Sequence, residues 1–372
     1  MLDSLSIALG LIVLVGGGEL VVRGASRLAL GLGLSPLVIG LTVVAFGTSS
    51  PELAVAIGAT LGGTPDVAVG NVVGSNIYNI LLILGVAALI SPLMVRRQLV
   101  RFDVPVVIGV SVLLWLLVLD GRLSALEGAL LVVLLALYLA ISFWLGRRGE
   151  TTRTTDTDDD EPSPTMPEPV SRVRSLAVFL AGLVALVVGA QLLVGGATGM
   201  ATALGVPDLV IGLTVVAIGT SLPELITSAI AALRGHRDIA VGNVMGSNLF
   251  NILGILGITA VVGGGLPVAE QVRTFDLAVM TVVAFACLPL LFTGWVLRRW
   301  EGALFVGYAV LYTAYVVLAA LRHPLVEPLE MVTVVFALPL TAIVLVSVTL
   351  REFGRGDGQR RWLRRRPGRQ AS

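Results

Sequence analysis

The sequence contains no lysine, a single cysteine and two histidines, and Asp, Glu, Lys and Arg together make up only 13% of its 372 residues. Each scarcity excludes something. A lone Cys287 rules out an internal disulfide and a cysteine-rich metal site. A formal net charge of +1 leaves no global field to attract nucleic acid. So few charges, with 56% hydrophobic residues and a mean hydropathy of +0.96, exclude an ordinary soluble domain and indicate an integral membrane protein whose environment is the lipid bilayer. No cleavable leader is expected, because the first apolar run continues through Gly16 and Glu19 to Leu30 with no polar mature region behind it.

The apolar segments fall at 5–30, 35–61, 67–91, 103–119, 124–145, 175–203, 208–232, 239–262, 276–296, 301–320 and 328–350, most of them long enough for a bilayer core. This predicts an all-α polytopic protein of eleven spans. With the N-terminus outside, 22 of the 25 arginines fall in cytoplasmic connections or the tail, leaving Arg122, Arg273 and Arg322 outside. The expected placement is therefore a multi-pass protein of the cell membrane with its central linker and C-terminal tail in the cytoplasm.

The polar break at 146–174 is rich in Thr, Asp, Pro and Arg and reads as a disordered cytoplasmic linker. Its alternating Asp156, Asp158 and Asp160 imitate a calcium-binding loop, but Glu161 and Pro167 occupy the places where that loop requires glycine and glutamate. The linker divides residues 1–145 from 175–320, each with five expected spans. A further span within 321–350 and a basic tail at 351–372 follow. An odd number of spans per repeat makes the second repeat enter the membrane in the opposite sense, as in the inverted repeats of secondary transporters.

The repetition is visible residue by residue. Val38 to Leu53, VIGLTVVAFGTSSPEL, recurs as Val210 to Leu225, VIGLTVVAIGTSLPEL, with 14 of 16 positions identical. Gly70 to Gly85, GNVVGSNIYNILLILG, recurs at the same spacing of 172 as Gly242 to Gly257, GNVMGSNLFNILGILG, with 12 of 16 identical. Thr48, Ser49 and Glu52 share one helical face, as do Thr220, Ser221 and Glu224. Pro51 and Pro223 cannot donate to the carbonyls of Gly47 and Gly219, which frees backbone oxygen beside the carboxylates. In the second block Ser75 pairs with Asn79, and Ser247 with Asn251, four residues apart. A carboxylate at mid-bilayer costs about 2.5–3.5 kcal/mol even on the lenient insertion scale, and no arginine lies within either block. Glu52 and Glu224 are therefore expected to face one another and hold a cation. Carboxylates, hydroxyls, amides and carbonyls are hard ligands, suited to Na⁺ or Ca²⁺ rather than zinc or copper.

Other polar residues have plainer expected roles. Glu19 pairs with Arg23, and its counterpart is the neutral Gln191. Asp66 and Asp238 are expected to cap helices, and Asn71, Asn76, Asn243 and Asn248 to bond one helix to another rather than to ligate. The paired glycines Gly70 with Gly74 and Gly242 with Gly246 suit close helix packing. An intramembrane serine hydrolase would need a base, and His236 and His323 lie in connections away from the serines, so the chain is not expected to be an enzyme.

GTSSPE with GNVVGSNIYN, repeated as GTSLPE with GNVMGSNLFN, resembles the sodium/calcium exchanger family of the cation/calcium antiporter superfamily, in its prokaryotic form. The resemblance covers about residues 1–320. It implies antiport of Ca²⁺ against Na⁺ by alternating access, with no cofactor and no obligatory protein partner. Glu52 and Glu224 would coordinate Ca²⁺ with the carbonyls of Thr48 and Thr220. Na⁺ would be held by Ser49, Ser75, Ser221 and Ser247, the carbonyls of Ala45 and Ala217, and the side chains of Thr48 and Thr220, with Asn79 and Asn251 completing the polar diamond. Family members often carry an aspartate at one of those two amide positions, and the potassium-dependent branch does so in particular. The amides here disfavour a K⁺ requirement. A proton-coupled Ca²⁺ antiporter, or one for another divalent ion, is the nearest alternative.

Overall fold

The computed structural model describes residues 2–151, 171–206, 208–211, 214–215, 217–292 and 295–333. The first half runs through helices α1 (Leu2–Leu32), α2 (Pro36–Thr48), α3 (Ser50–Leu61), α4 (Val67–Ile90), α5 (Leu99–Leu117) and α6 (Ala125–Thr151). The second half runs through α7 (Arg172–Ala203), α8 (Asp208–Ile211), α9 (Ala217–Thr220), α10 (Leu222–Leu233), α11 (Arg237–Val262), α12 (Val272–Leu291) and α13 (Arg299–Ala320). A short α14 (Val326–Val332) follows.

Among the described residues eight helices are long and apolar enough to cross a membrane, and nine if α2 and α3 count as one bent span. The expected span at 208–232 is also broken, at Ser221, and residues 207, 212, 213 and 216 within or beside it are outside the described set. Most of the eleventh expected span, the tail and the acidic run of the linker likewise lie outside it. The expected linker at 146–174 proves shorter at both ends. Nothing at Gly146 stops α6, which continues to Thr151, and α7 begins at Arg172 because Ser171 caps it, accepting the Arg174 amide at 3.4 Å.

Two-residue strands join the helix ends and are the only β-structure among the described residues. β1 (Leu93–Met94) pairs antiparallel with β4 (Val296–Leu297), and β2 (Arg122–Leu123) with β3 (Leu266–Pro267). Exchanging the halves turns one pairing into the other. Carboxylates follow the same rule: Tyr138 on α6 donates to the buried Asp103 on α5, and Tyr312 on α13 to the half-buried Asp276 on α12, both at 3.0 Å. Nothing in the sequence patterning singles out these two acids.

Among the described helices the most extensive contact is between α1 and α7, and glycines make it. Gly10, Gly17 and Gly24 recur every seventh residue, and Gly182, Gly189 and Gly196 repeat them at the spacing of 172. A Cβ at Gly17 would sit 2.8 Å from the Leu186 nitrogen, and one at Gly182 would sit 2.6 Å from the Val21 nitrogen. Gly10 abuts Gly189 and Leu193, so contacts descend α7 as they ascend α1 and the two helices run antiparallel. Lipid tails are as apolar as leucine, so backbone-to-backbone packing of this kind, rather than hydrophobic burial, holds the pair. Gly242 and Gly246 are packed just as tightly against Leu37 to Ala45 of α2, whereas no described atom comes within 4 Å of a Cβ at Gly70 or Gly74.

Glu19 on α1 does pair with Arg23, at 2.7 Å, and also reaches Arg234 at the end of α10, at 2.9 Å. The helix-cap expectation for Asp238 is overturned. His236 occupies the cap position of α11 without a side-chain cap bond, and Asp238 instead accepts from Arg96 at 2.6 Å, because the chain leaving β1 brings that guanidinium to it. Of Asp66 only the backbone is described, so its expected cap is not tested.

The glycine seam generates a paired expectation. Gly17→Ala pushes a methyl into the backbone of α7 and should lower thermal stability in detergent by about 1–3 kcal/mol, the usual cost of overpacking. Gly16→Ala is the control. No atom lies within 4 Å of its Cβ, and helix propensity favours alanine there by up to about 1 kcal/mol. Unfolding curves of the two variants should move in opposite directions.

Candidate ion-binding site

Both halves break a helix at the same serine. Ser49 sits between α2 and α3 with φ −84° and ψ 4°, and Ser221 between α9 and α10 with φ −90° and ψ 6°. The bend between α2 and α3 is 41°. Pro51 and Pro223 cause this locally: proline is well placed in the first turn of the outgoing helix, where its missing N–H is no loss, and cannot continue the ladder of the incoming one. The break has an electrostatic result. The carbonyl-rich end of α2 or α9 and the amide-rich start of α3 or α10 meet at one level, and Glu52 and Glu224 each lie in the first turn of the outgoing helix, where a negative charge is favoured.

Both glutamates are almost wholly buried, at 1% exposure each. Ser49, three residues before Glu52, donates to Glu224 at 2.9 Å, which places the two carboxylates in one cluster. The ion pairs found among the described residues use Glu19 and Asp238, not these two carboxylates. Oε2 of Glu52 and Oε2 of Glu224 are buried without a hydrogen-bond donor. So are Oδ1 of Asn79, Oδ1 of Asn251 and Oγ of Ser247. Five buried acceptor oxygens without donors among the described residues, all from the two repeated blocks, are hard oxygens of the kind a desolvated cation takes as ligands.

The remaining candidates are stitched across the two halves. Ser49 donates to Oε1 of Glu224 at 2.9 Å, and the Ser221 hydroxyl lies 3.4 Å from that of Ser75. Thr48 bonds to Asn243 at 3.1 Å and Thr220 to Asn71 at 3.5 Å. Asn79 donates to Asn248 at 3.0 Å, and Asn251 to Asn76 at 3.4 Å. All six bonds join a residue before position 80 to one after position 219. Asn71, Asn76, Asn243 and Asn248 thus make the helix-to-helix bonds expected of them. The plain reading of membrane hydroxyls holds for Thr42 and Thr214, each bonded at 2.6 Å to a carbonyl of its own helix.

Ala45 is buried, and its carbonyl accepts the Ser49 amide at 3.0 Å, which leaves a second lone pair. Ala217 opens α9, and only its backbone is described. Among the described residues no group of three His, Cys, Asp or Glu gathers in one place. The site relies on two carboxylates and neutral oxygens.

One feature of the site was not legible in the residue pattern. α4 changes to wider π-helical winding at Asn79–Leu84 and α11 at Phe250–Leu256, so Asn79 and Asn251 both lie where the helix loosens. Such windings concentrate at functional positions because they shift a side chain out of the regular spiral. α2 does the same at Gly40–Val44, just before Ala45. Ser228, buried beside Glu224 and bonded to Asn243 at 3.0 Å, also escapes a motif search, because its counterpart in the first half is Ala56.

Comparison with known proteins gives the family and the fold. The family described as "Sodium/calcium exchanger protein" matches residues 4–144 and 174–319, leaving out the linker and everything beyond 319. A "Putative antiporter CaxA" of Alkalimonas amylolytica is 37% identical over 322 residues, covering 84% of this chain and 98% of that protein. "Sodium/calcium exchanger MaX1" of Methanosarcina acetivorans is 36% identical over 83% of this chain and 96% of its own length. The solved sodium/calcium exchanger of Methanococcus jannaschii superposes with a TM-score of 0.71 at 34% identity, over 84% of this chain and 98% of that one. With two buried glutamates at matched helix breaks and a family match over both halves, the chain belongs to the sodium/calcium exchanger family, a family of membrane transporters.

Proposed function

We propose that this protein exchanges Ca²⁺ for Na⁺ across the cell membrane by alternating access, at a single site shared by Glu52 and Glu224. The observation that carries the reading is the buried glutamate pair with an undonated oxygen on each partner and, among the described residues, no cationic side chain joined to either. Ca²⁺ is held by those two carboxylates with the carbonyls of Thr48 and Thr220. Na⁺ uses Ser49, Ser75, Ser221, Ser247, the carbonyls of Ala45 and Ala217, and the hydroxyls of Thr48 and Thr220. Asn79 and Asn251 contribute their undonated Oδ1 atoms.

The charge count gives the mechanism. Two carboxylates carry −2, which one Ca²⁺ or two Na⁺ balance, so the two cargoes compete for the same oxygens. A neutralised site can pass between inward and outward access, whereas the bare dianion resists desolvation. Exchange of three Na⁺ for one Ca²⁺ would move one net charge per cycle. The recurring element order, the exchanged strand pairings and the antiparallel α1 and α7 support inverted five-helix repeats placing the site near mid-membrane. In that scheme the glycine seam lets α1 and α7 slide against the core that holds the ions, since backbone-to-backbone contact offers no interlocking side chains. An eleventh span at 328–350 and an outside N-terminus complete the proposed topology, on the strength of the arginine distribution.

Purified protein in vesicles tests the assignment. Glu52→Gln or Glu224→Gln should reduce Na⁺-driven Ca²⁺ uptake at least about a hundredfold, since losing one charge of a buried set costs about 3 kcal/mol or more. Retained flux in either variant would contradict the reading. Because both diamond amides are neutral, replacing K⁺ by choline should leave uptake unchanged. Uptake that follows an imposed pH gradient without Na⁺ would instead indicate proton coupling.

A further inference from the structure

The two halves fix their threonine oxygens differently, and the difference traces to one hydroxyl. Thr48 has one proton and four acceptors in reach: the carbonyl of Val44 at 3.1 Å, the carbonyl of Ala45 at 3.3 Å, Oδ1 of Asn243 at 3.1 Å, and the Glu224 carboxylate. If the proton goes back to its own helix, it occupies a carbonyl that faces the site. If it goes to Asn243, the Ala45 carbonyl and the lone pairs of the hydroxyl are both left for a cation. That second arrangement requires Asn243 to present its oxygen to Thr48 and its amide hydrogens elsewhere.

Ser228 enforces that orientation. Nδ2 of Asn243 donates to the Ser228 hydroxyl at 3.0 Å, with the Glu224 carbonyl a weaker second acceptor at 3.4 Å. Ser228 sends its own proton to the Ala240 carbonyl at 3.5 Å, so its lone pairs face the amide. Both Ser228 and Asn243 are fully buried, where water cannot substitute for a missing partner. In the first half Ala56 replaces Ser228, and the consequence is visible. Nδ2 of Asn71 is buried without a partner, and the bond from Thr220 to Asn71 is longer, at 3.5 Å.

We infer that Ser228 is a positioning residue that holds Asn243 in one amide orientation and thereby sets the Na⁺ affinity of the Thr48 subsite. This rests on the exchange reading above and assigns a role to a residue outside the repeated motif. Na⁺ is the affected ion because a monovalent cation can be held by neutral oxygens, whereas Ca²⁺ binding depends on the two carboxylates, which Ser228 does not touch in this structure.

The test is initial-rate exchange by the full-length protein in vesicles, varying Na⁺ and Ca²⁺ separately. Ser228→Ala should raise KM for Na⁺ about fivefold, the worth of one ordinary hydrogen bond, with KM for Ca²⁺ changed less than about twofold. Ser228→Thr, which keeps the hydroxyl, should restore the wild-type Na⁺ value. Ala56→Ser gives Asn71 its missing acceptor and should lower KM for Na⁺ by about twofold or more. An unchanged Na⁺ KM in Ser228→Ala, or equal rises in both constants with no rescue by threonine, would overturn the inference while leaving the exchange reading standing. Wild-type protein without Na⁺-driven flux would overturn both.

Discussion

Two carboxylates cannot stay charged side by side in a low-dielectric interior without a cation between or beside them. Glu52 and Glu224 are both buried, and among the described residues no cationic side chain pairs with either, so in the proposed reading the surrounding architecture follows from the need to supply other oxygens. The helix breaks at Ser49 and Ser221 turn backbone carbonyls toward the pair, and the first turns of α3 and α10 favour their charge. The amides of α4 and α11 pair with one another across the halves. Six hydrogen bonds among these residues cross between the halves, so each half depends on the other to hold its polar side chains in place.

The repeat is a frame that the protein has broken in particular places. Glu19 reaches Arg23 and Arg234, yet the equivalent positions are Gln191 and Gly62, so only one end of the molecule ties α1 to the core by charge. These partners are more than half exposed at the arginine, so the tie is weak and screened by salt rather than a lock. Ser228 opposite Ala56 breaks the repeat inside the site itself. A transporter that must bind on one side and release on the other gains from such inequalities, since a fully symmetric molecule would populate both access states equally.

Much of this was legible in the sequence because insertion into a membrane is so selective. Glu52 and Glu224 stood out as acids in apolar runs, and their repetition at a fixed spacing made them partners before any coordinates did. Asn71, Asn76, Asn243 and Asn248 were readable as helix-to-helix bonds by the same logic. What escaped depends on geometry that composition does not encode. Ordinary leucine and isoleucine, with Gly254 in the second, form the π-helical turns after Asn79 and Asn251, and Asp103 and Asp276 matter only through tyrosines 35 and 36 residues away. The glycine seam was half visible. The runs at 16–18 and 195–196 are rich in glycine, but only the heptad from Gly10 to Gly24 and its copy identify which glycines touch a neighbour. Asp238 was misread because a helix-start acid looks like a cap until a distant Arg96 is brought to it.

The central claim is that one cation bridges Glu52 and Glu224. Anomalous diffraction from crystals soaked in Sr²⁺ tests this most directly, since Sr²⁺ is a heavier stand-in for Ca²⁺ with the same preference for oxygen. The account predicts one dominant peak within coordination distance of both carboxylates, lost when Na⁺ is raised at fixed Sr²⁺. A peak on one glutamate alone, two separate peaks that each take one carboxylate, or a peak insensitive to Na⁺ would contradict it.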